Sequence, residues 1–329
     1  MRSILVVSLC ALLLASACSD QTTTPPPSGD GGTGEGGTSL PPAPPSGWRA
    51  AVGKNGVLVQ TFDESTWETR TVASQDLDAV TCLGNLRGWT TGPAGAIAHT
   101  EDGGRTWSAQ ASGVTTTLRA IRFGDARFGV VAGDGGALAI SHDGGATWTA
   151  QASGVASALR GVAIADAAGV AIVVGDGGVV LRSDDGATFT RIAPFGAADL
   201  EAVATDDAAH LVLAVDGAGG VWRSVDRGLT FARETTAPRA LHAVSLHPSG
   251  AYALAAGDDG TALARDANGA WSTLATGTHA ALRAALVTET GAHDYLAGDS
   301  GTLLARDRSG DVTLVPTTTT ADLLGLEDL

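Results

Sequence analysis

One unit of about 41 residues recurs seven times, and this repetition limits the fold more than any other feature. Each unit has a Leu-x-Ala-Val-like segment, a second apolar segment, a Gly-x-x-Gly turn, a third apolar segment and an Asp-centred turn. The central aspartates, 39 to 42 residues apart, are Asp63, Asp102, Asp143, Asp184, Asp226, Asp266 and Asp307. Seven units of this length match the four-stranded blades of a β-propeller.

The chemistry within each repeat favours antiparallel strands. The segment VVAGDGGALAI, residues 130–140, has two apolar runs joined by Gly133-Asp134-Gly135-Gly136, and such turns readily adopt the positive φ angles of a hairpin. No segment has the 10 to 15 residues of helical periodicity that a βαβ crossover needs. We therefore predict an all-β fold, a seven-bladed propeller of four-stranded antiparallel blades.

The position of the Leu-x-Ala-Val segment predicts how the ring closes. Six repeats start with one, but the first repeat lacks it, and the missing copy follows the last repeat as Leu323-Leu324-Gly325-Leu326. We expect this C-terminal segment to become the inner strand of the first blade, so that no sheet edge of the ring is left open. The six copies that start a repeat are residues 77–80, 118–121, 159–162, 200–203, 241–244 and 282–285.

The Asp-centred turns have a structural explanation. Sequences such as Ser141-x-Asp143-x-Gly145-x-Thr147-Trp148 place a short carboxylate where it can accept backbone N–H bonds across a tight turn. The predicted structural aspartates are Asp102, Asp143, Asp184 and Asp226. The copies around Asp63, Asp266 and Asp307 are degenerate, and we expect packing to hold those turns.

This Ser-x-Asp-x-Gly-x-Thr-Trp pattern resembles the Asp-box, or bacterial neuraminidase repeat. Together with the Gly-x-x-Gly turns, it makes residues 47–329 resemble the seven-bladed propellers of the photosystem II assembly and stability factor family. The resemblance implies a non-catalytic assembly factor that binds a protein or peptide. It does not imply a photosystem client, because propellers serve many functions.

The N-terminal residues have the pattern of a bacterial lipoprotein. Residues 1–17 combine Arg2 with a short apolar run that ends in small residues, which is typical of a signal peptide. Cys18 follows directly and resembles a lipoprotein processing box, which implies cleavage before Cys18 and lipidation of its sulfur; an ordinary signal peptide is the alternative. Residues 18–46, rich in Pro, Gly, Thr and Ser, are predicted to be a disordered tether. We expect a lipid-anchored head in the cell envelope, at the outer membrane and facing the periplasm or the cell surface.

The net charge disfavours one class of partner, and the cysteine content bears on disulfide formation. Against 35 acidic residues stand 20 basic ones, a net charge of -15 that disfavours nucleic acid as a partner. If Cys10 leaves with the signal and Cys18 is acylated, Cys82 has no disulfide partner, and its place in the repeat predicts a buried structural thiol. We expect the head to be monomeric and to touch the membrane only through its lipid.

The second position of each Leu-x-Ala-Val segment gives the candidate binding site. If the inner strands start at one mouth of the central channel, these side chains form a ring of mixed charge that could anchor an acidic or amide-bearing partner. Inter-blade salt bridging is the structural alternative. The ring consists of Asp78, Arg119, Arg160, Glu201, His242 and Arg283, with Leu324 in the first blade.

An enzymatic function has little support in the sequence. Motifs for metal or nucleophilic catalysis are absent, and we predict no cofactor and no metal site. Tyr252 and Tyr295 both fall among core residues, where packing explains them better than a sialidase-like nucleophile does. The alternative function is a secreted carbohydrate-active propeller that binds or hydrolyses glycans; Trp48, Trp89 and Trp222 are the tryptophans outside the repeated turns that could serve it.

Overall fold

In the computed structural model, which describes residues 48–84, 86–289 and 292–328, the chain forms seven four-stranded sheets. Neighbouring strands within each sheet are antiparallel, and contacts between consecutive inner strands run round the whole ring. The predicted seven-bladed β-propeller is therefore confirmed. The signal peptide, Cys18 and the tether lie outside the described residues.

The two inner positions of each blade are an innermost strand that lines the central channel and a second strand that is almost fully buried. The innermost strands of blades 1 to 7 are β28 (Leu323–Asp328), β4 (Ala79–Leu83), β8 (Leu118–Phe123), β12 (Leu159–Ala165), β16 (Leu200–Thr205), β20 (Leu241–Leu246) and β24 (Leu282–Leu286). The second strands are β1 (Arg49–Gly53), β5 (Arg87–Thr91), β9 (Gly129–Gly133), β13 (Val170–Gly175), β17 (Val212–Asp216), β21 (Ala253–Gly257) and β25 (His293–Gly298).

Of the two outer positions, the third strand is largely buried and the outermost strand is largely exposed. The third strands are β2 (Val57–Thr61), β6 (Ala96–Thr100), β10 (Leu138–Ser141), β14 (Val179–Ser183), β18 (Gly220–Ser224), β22 (Ala262–Arg265) and β26 (Leu303–Asp307). The outermost strands are β3 (Glu68–Thr71), β7 (Ser108–Ala111), β11 (Thr149–Ala150), β15 (Thr190–Arg191), β19 (Ala232–Thr236), β23 (Trp271–Thr273) and β27 (Val312–Leu314). Short 3-10 turns occur at Lys54–Gly56, Pro93–Gly95, Asp134–Gly136, Asp166–Ala168, Asp176–Gly178 and Asp299–Gly301.

The hydrophobic core is divided among the gaps between neighbouring blades. In the gap between blades 7 and 1, Val59 packs with Tyr295 and Leu303, and the inner-strand residues Leu323 and Leu326 join the same cluster. Because each sheet buries both faces against its neighbours, the second strands read as continuous apolar runs such as Val-Ala-Ile-Val-Val in β13. Loss of one whole blade would therefore expose the cores on both of its sides.

Ring closure depends on the pairing of β28 with β1. The two strands are antiparallel, with Arg49 opposite Asp328 and Ala51 opposite Leu326, and the Lys54 N–H donates to the Asp322 carbonyl at 2.9 Å. The C-terminal segment is thus the inner strand of the first blade, as the sequence predicts.

The hairpins between the second and third strands require glycine at their last position. Gly136, for example, has φ of +75°, and a Cβ there would lie 2.0 Å from the Val155 carbonyl oxygen. A side chain at this position would be strained by the backbone angle and would also collide with the chain that returns from the outermost strand.

The Asp-centred turns lie at the opposite ends of the blades from these hairpins. Asp143 accepts hydrogen bonds from the Thr147 N–H at 2.9 Å, the Thr147 hydroxyl at 2.6 Å and the Ser141 hydroxyl at 2.9 Å. Asp102 and Asp226 make the equivalent bonds. Two backbone N–H groups also donate to each of the carboxylates in the degenerate turns, so those turns use their aspartates too; these are Asp63, Asp266 and Asp307.

The fourth blade corrects one sequence prediction. Its turn is one residue shorter, so Ser183 takes the place of the serine and the accepting carboxylate is Asp185, not Asp184. Asp185 accepts from the Ala187 and Thr188 N–H groups at 2.9 and 2.7 Å, and these bonds lower its pKa to about 2. Asp184 is mostly exposed and pairs with Arg182.

Two other features bear on the sequence predictions. Cys82 is a free thiol that is partly buried, and burial raises its pKa, which disfavours the reactive thiolate. In the described ranges, no helix is long and apolar enough to span a membrane.

The closure can be tested with two leucines that differ in burial. Leu323→Ala should destabilise the fold by about 2–5 kcal/mol, because Leu323 is fully buried in the core between blades 7 and 1. Leu314→Ala is the matched control, since Leu314 is 68% exposed on the outermost strand of blade 7, and should cost less than about 0.5 kcal/mol. Denaturant unfolding measures both. Equal losses would contradict the packing described for β28.

Candidate functional site at the mouth of the central channel

The inner strands surround a central cavity of about 430 Å³. All seven contribute to its wall, and the hairpins between second and third strands stand at the end where the inner strands start. The cavity reaches the six polar ring positions that the sequence singles out, together with the apolar seventh. We call these seven residues the mouth ring: Asp78, Arg119, Arg160, Glu201, His242, Arg283 and Leu324.

Four members of the mouth ring are paired with a carboxylate on the hairpin of their own blade. Arg119 Nε and Nη2 donate to the two Asp134 oxygens at 2.5 and 2.9 Å, and this forked pair raises the pKa of Arg119. The same arrangement recurs in blade 7, where Arg283 donates to Asp299 at 2.9 and 3.1 Å.

The other two pairs follow the same geometry. Arg160 Nε donates to Asp176, and His242 Nε2 lies 2.7 Å from Asp258 Oδ1. Between neighbouring ring members the contact is looser, with Arg160 Nη1 at 3.5 Å from Glu201. Salt bridging therefore runs chiefly within blades, whereas the structural alternative expected it between blades.

The two acidic members of the mouth ring lack such a hairpin partner. In blade 2 the hairpin is Pro93-Ala94-Gly95, which offers no charge to Asp78, and one Asp78 oxygen is buried without a hydrogen bond. In blade 5 the hairpin residues Gly217 to Gly219 offer none to Glu201. Burial raises the pKa of both carboxyls, and the nearby guanidinium groups of Arg119 and Arg160 only partly offset it.

A second set of aspartates joins each of three blades to the next, and our sequence interpretation missed it. Asp76 accepts from the Asn55 N–H at 2.8 Å, Asp199 from Gly177 at 2.8 Å, and Asp322 from Ser300 at 3.0 Å. Each donor sits at the positive-φ position of the preceding hairpin. The available signal was an Asp immediately before the first Leu of three Leu-x-Ala-Val-like segments.

Asp322 has an additional role at the mouth. The Lys54 ammonium donates to its Oδ2 at 2.6 Å, and this bond is the main reason that the pKa of Asp322 is lowered. Lys54 stands on the hairpin of blade 1, where four other blades carry an aspartate, and Leu324 takes the ring position. Blade 1 thus has its base on the hairpin and an uncharged residue in the ring.

The far end of the channel holds a different group of charges on the closing strand. Arg122 Nη1 donates to Glu327 Oε2 at 2.5 Å, which ties blade 3 to blade 1. Asp328 has its pKa raised to about 7, chiefly by burial and next by the charge of Glu327. Protonation of Asp328 therefore couples to the strand that closes the ring.

The aromatic residues that bear on a carbohydrate site are nearly all buried. Trp48, Trp89 and Trp222 are at most 9% exposed and pack in the cores between neighbouring blades. The Tyr295 hydroxyl donates to Glu64 at 3.2 Å inside the core between blades 7 and 1. Tyr252, expected in the core, is instead 53% exposed, because it lies in the turn before β21 rather than inside the strand.

Metal ligands are not clustered in the part of the chain that the structure describes. No three His, Cys, Asp or Glu side chains there are arranged to hold a metal ion. The repeated acids of the turns and hairpins belong to separate blades, where their hydrogen bonds already account for them.

Comparison with known proteins identifies the fold. No protein-family model and no curated protein sequence matches this chain. Among solved structures, "YCF48 bound to D1 peptide" aligns with a TM-score of 0.62 at 20% identity over 80% of this chain and 88% of that one. Ycf48 from Cyanidioschyzon merolae aligns with a TM-score of 0.60 at 17% identity, over 78% of this chain and 90% of that one. At these identities the likeness concerns the propeller fold.

The raised pKa of Asp328 predicts a pH dependence of stability. Because the folded state holds this proton more tightly than the unfolded chain, its contribution is complete below about pH 4 and is lost as pH rises to about 7. The difference in unfolding free energy, wild type minus Asp328→Asn, should therefore fall between about pH 4 and pH 7. Denaturant titrations at several pH values measure it.

The matched control is Glu68→Gln on the exposed outer strand β3, which removes one charge away from the closing strand. Its difference from wild type should change less over the same pH range. Parallel wild-type and Asp328→Asn profiles would contradict the assignment.

Proposed function

We propose that this chain is a lipid-anchored envelope propeller that binds a protein or peptide at the mouth ring and acts as a non-catalytic scaffold or assembly factor. The observation that carries the proposal is the cavity itself: seven inner strands present a ring of charged side chains around an opening of about 430 Å³. Charged side chains at an accessible mouth give specificity to a partner, whereas those in a packed core do not.

The fold neighbour supports a peptide as the class of partner. That structure is described as Ycf48 with a D1 peptide, so a propeller of this shape does accommodate a peptide. For the present chain the client is a protein or peptide of the cell envelope, and a photosystem client is no part of the proposal.

Catalysis is not needed to explain the site. The four basic members of the mouth ring are held by carboxylates of their own blades, which fixes their orientation for recognition. The carbohydrate alternative receives little support, since the three candidate tryptophans are buried.

Photo-crosslinking tests the mouth ring as the recognition surface. A photoreactive residue in place of His242 should yield crosslinked partner proteins in cells, because His242 borders the cavity. The same residue in place of Arg191, exposed on the outermost strand of blade 4, is the matched control and should yield few. Equal crosslinking from both positions, or none from His242, would contradict a binding mouth.

The anchor needs a separate test, since it rests on the sequence of residues 1–18. Cys18→Ser should remove the lipid and shift the chain from the membrane fraction to the soluble envelope fraction. Cell fractionation and mass spectrometry of the N-terminal peptide measure both effects. Unchanged membrane retention of an unlipidated variant would overturn the proposed anchor while leaving the mouth ring untouched.

A further inference from the structure

We propose that the segment received by the central cavity is cationic, with a lysine or arginine side chain placed between Asp78 and Glu201. This inference rests on the proposed function and gives the partner a chemistry. It differs from the expectation raised by the sequence alone, in which the ring arginines anchor an acidic partner.

The first step is that the basic groups of the mouth are already occupied. Arg119 and Arg283 each make a two-bonded pair with a hairpin aspartate, and Arg160 bonds Asp176. Each guanidinium keeps further N–H donors, but the paired carboxylate already compensates its charge. An acidic ligand would therefore meet an aspartate beside each of these arginines.

The remaining bases of the mouth are occupied in the same way. Lys54 bonds Asp322 at 2.6 Å, and Arg239 lies 3.6 Å from Asp259. No lysine or arginine of the described mouth is therefore left without a carboxylate.

The second step is that the carboxylates outnumber the bases. Once each base is matched with its own partner, Asp78 and Glu201 on the ring remain, and Asp76 and Asp199 lie beside them. The last two are held by backbone N–H groups, which orient them without neutralising their charge. The surplus charge of the mouth is negative, which attracts cations and repels acidic segments.

The third step concerns Asp78, where the ring breaks its own pattern. In blades 3, 4, 6 and 7 a basic ring residue pairs with an aspartate on the hairpin, but in blade 2 Pro93 takes the place of that aspartate and one Asp78 oxygen has no hydrogen-bond partner. The partly buried Asp78 carboxylate therefore has no positive partner on its own hairpin, and a cation in the cavity that it lines would supply one. A cationic N–H group is the donor that matches it best.

Glu201 supplies a second carboxylate three blades further round the cavity. Its only close basic contact among the described residues is Arg160, at 3.5 Å, and that guanidinium is already bonded to Asp176. Two carboxylates on one ring can hold an extended segment with two cationic side chains, or one ammonium group that bonds both through water. The site is thus the cavity, with Asp78 and Glu201 as its selective groups.

Binding of labelled hexalysine and hexaglutamate to the purified full-length chain tests this inference. Binding is measured by fluorescence anisotropy at physiological ionic strength, where the salt screens interactions between distant charges but leaves close ion pairs largely intact. Hexalysine should bind at least tenfold more tightly than hexaglutamate. Asp78→Asn with Glu201→Gln, which preserves side-chain shape, should weaken hexalysine binding at least tenfold, and Asp78→Asn alone should weaken it by a smaller factor.

The matched control removes the same two charges elsewhere. Asp207→Asn with Glu68→Gln alters one exposed aspartate and one exposed glutamate away from the mouth, and should change hexalysine affinity less than twofold. Equal losses in both double variants would show a general effect of net charge and overturn the inference. So would equal or tighter binding of hexaglutamate, or no hexalysine binding by the wild type.

The outcome is separable from that of the proposed function. Hexalysine should also reduce crosslinking from position 242 in cell extracts. If partners crosslink at position 242 but hexalysine neither binds nor competes, the mouth still binds a protein and the cationic inference alone is wrong. Should hexalysine bind at the mouth while no partner crosslinks there, the proposed function is wrong and the charge preference remains.

Discussion

Pairing between β28 and β1 is the constraint on which the rest of the structure depends. A propeller blade buries both faces, so every blade needs a neighbour on each side, and only a closed ring supplies one to the first and last blades. Here the chain ends meet within one sheet, with Leu323 and Leu326 in the core between blades 7 and 1. The cavity and the mouth ring exist because these seven inner strands are held at fixed angles.

Two kinds of contact fix the side chains and hairpins of the mouth. Own-blade ion pairs such as Arg119 with Asp134 fix the direction of each basic side chain, and the aspartates before the inner strands, such as Asp199, tie one hairpin to the next blade. The two acidic ring positions stand outside this scheme. The basic ring residues are paired with carboxylates, whereas the two acidic ring residues have no partner on their own hairpins. The mouth therefore favours a cationic partner, although its arginines alone would suggest an acidic one.

Much of the fold was predictable from the sequence because the same pattern of strands and turns recurs seven times. The period gave the blade number, and the displaced Leu-x-Ala-Val copy gave the closure. One error came from register: Asp184 and Asp185 are adjacent, and only the length of the turn decides which carboxylate accepts its N–H groups. The available signal was Ser183, which stands two residues before Asp185 as Ser141 does before Asp143.

The charge preference of the site was harder to predict than its position. The ring residues could be read off one column of the repeat, but their pairing depends on a hairpin about 15 residues further on, in a geometry that sequence spacing does not reveal. Asp78 differs from the others because Pro93 and Ala94 replace the usual hairpin aspartate. Only the three-dimensional arrangement shows that the arginines are taken and Asp78 is not.

Hydrogen exchange on a chain lacking residues 321–329 tests the central claim most directly, because it reports on each blade separately. If the ring is one cooperative unit, protection should fall in the distant strands β13 and β17 as well as in β1. Loss of protection confined to β1, β2 and β3, with β13 and β17 unchanged, would contradict it.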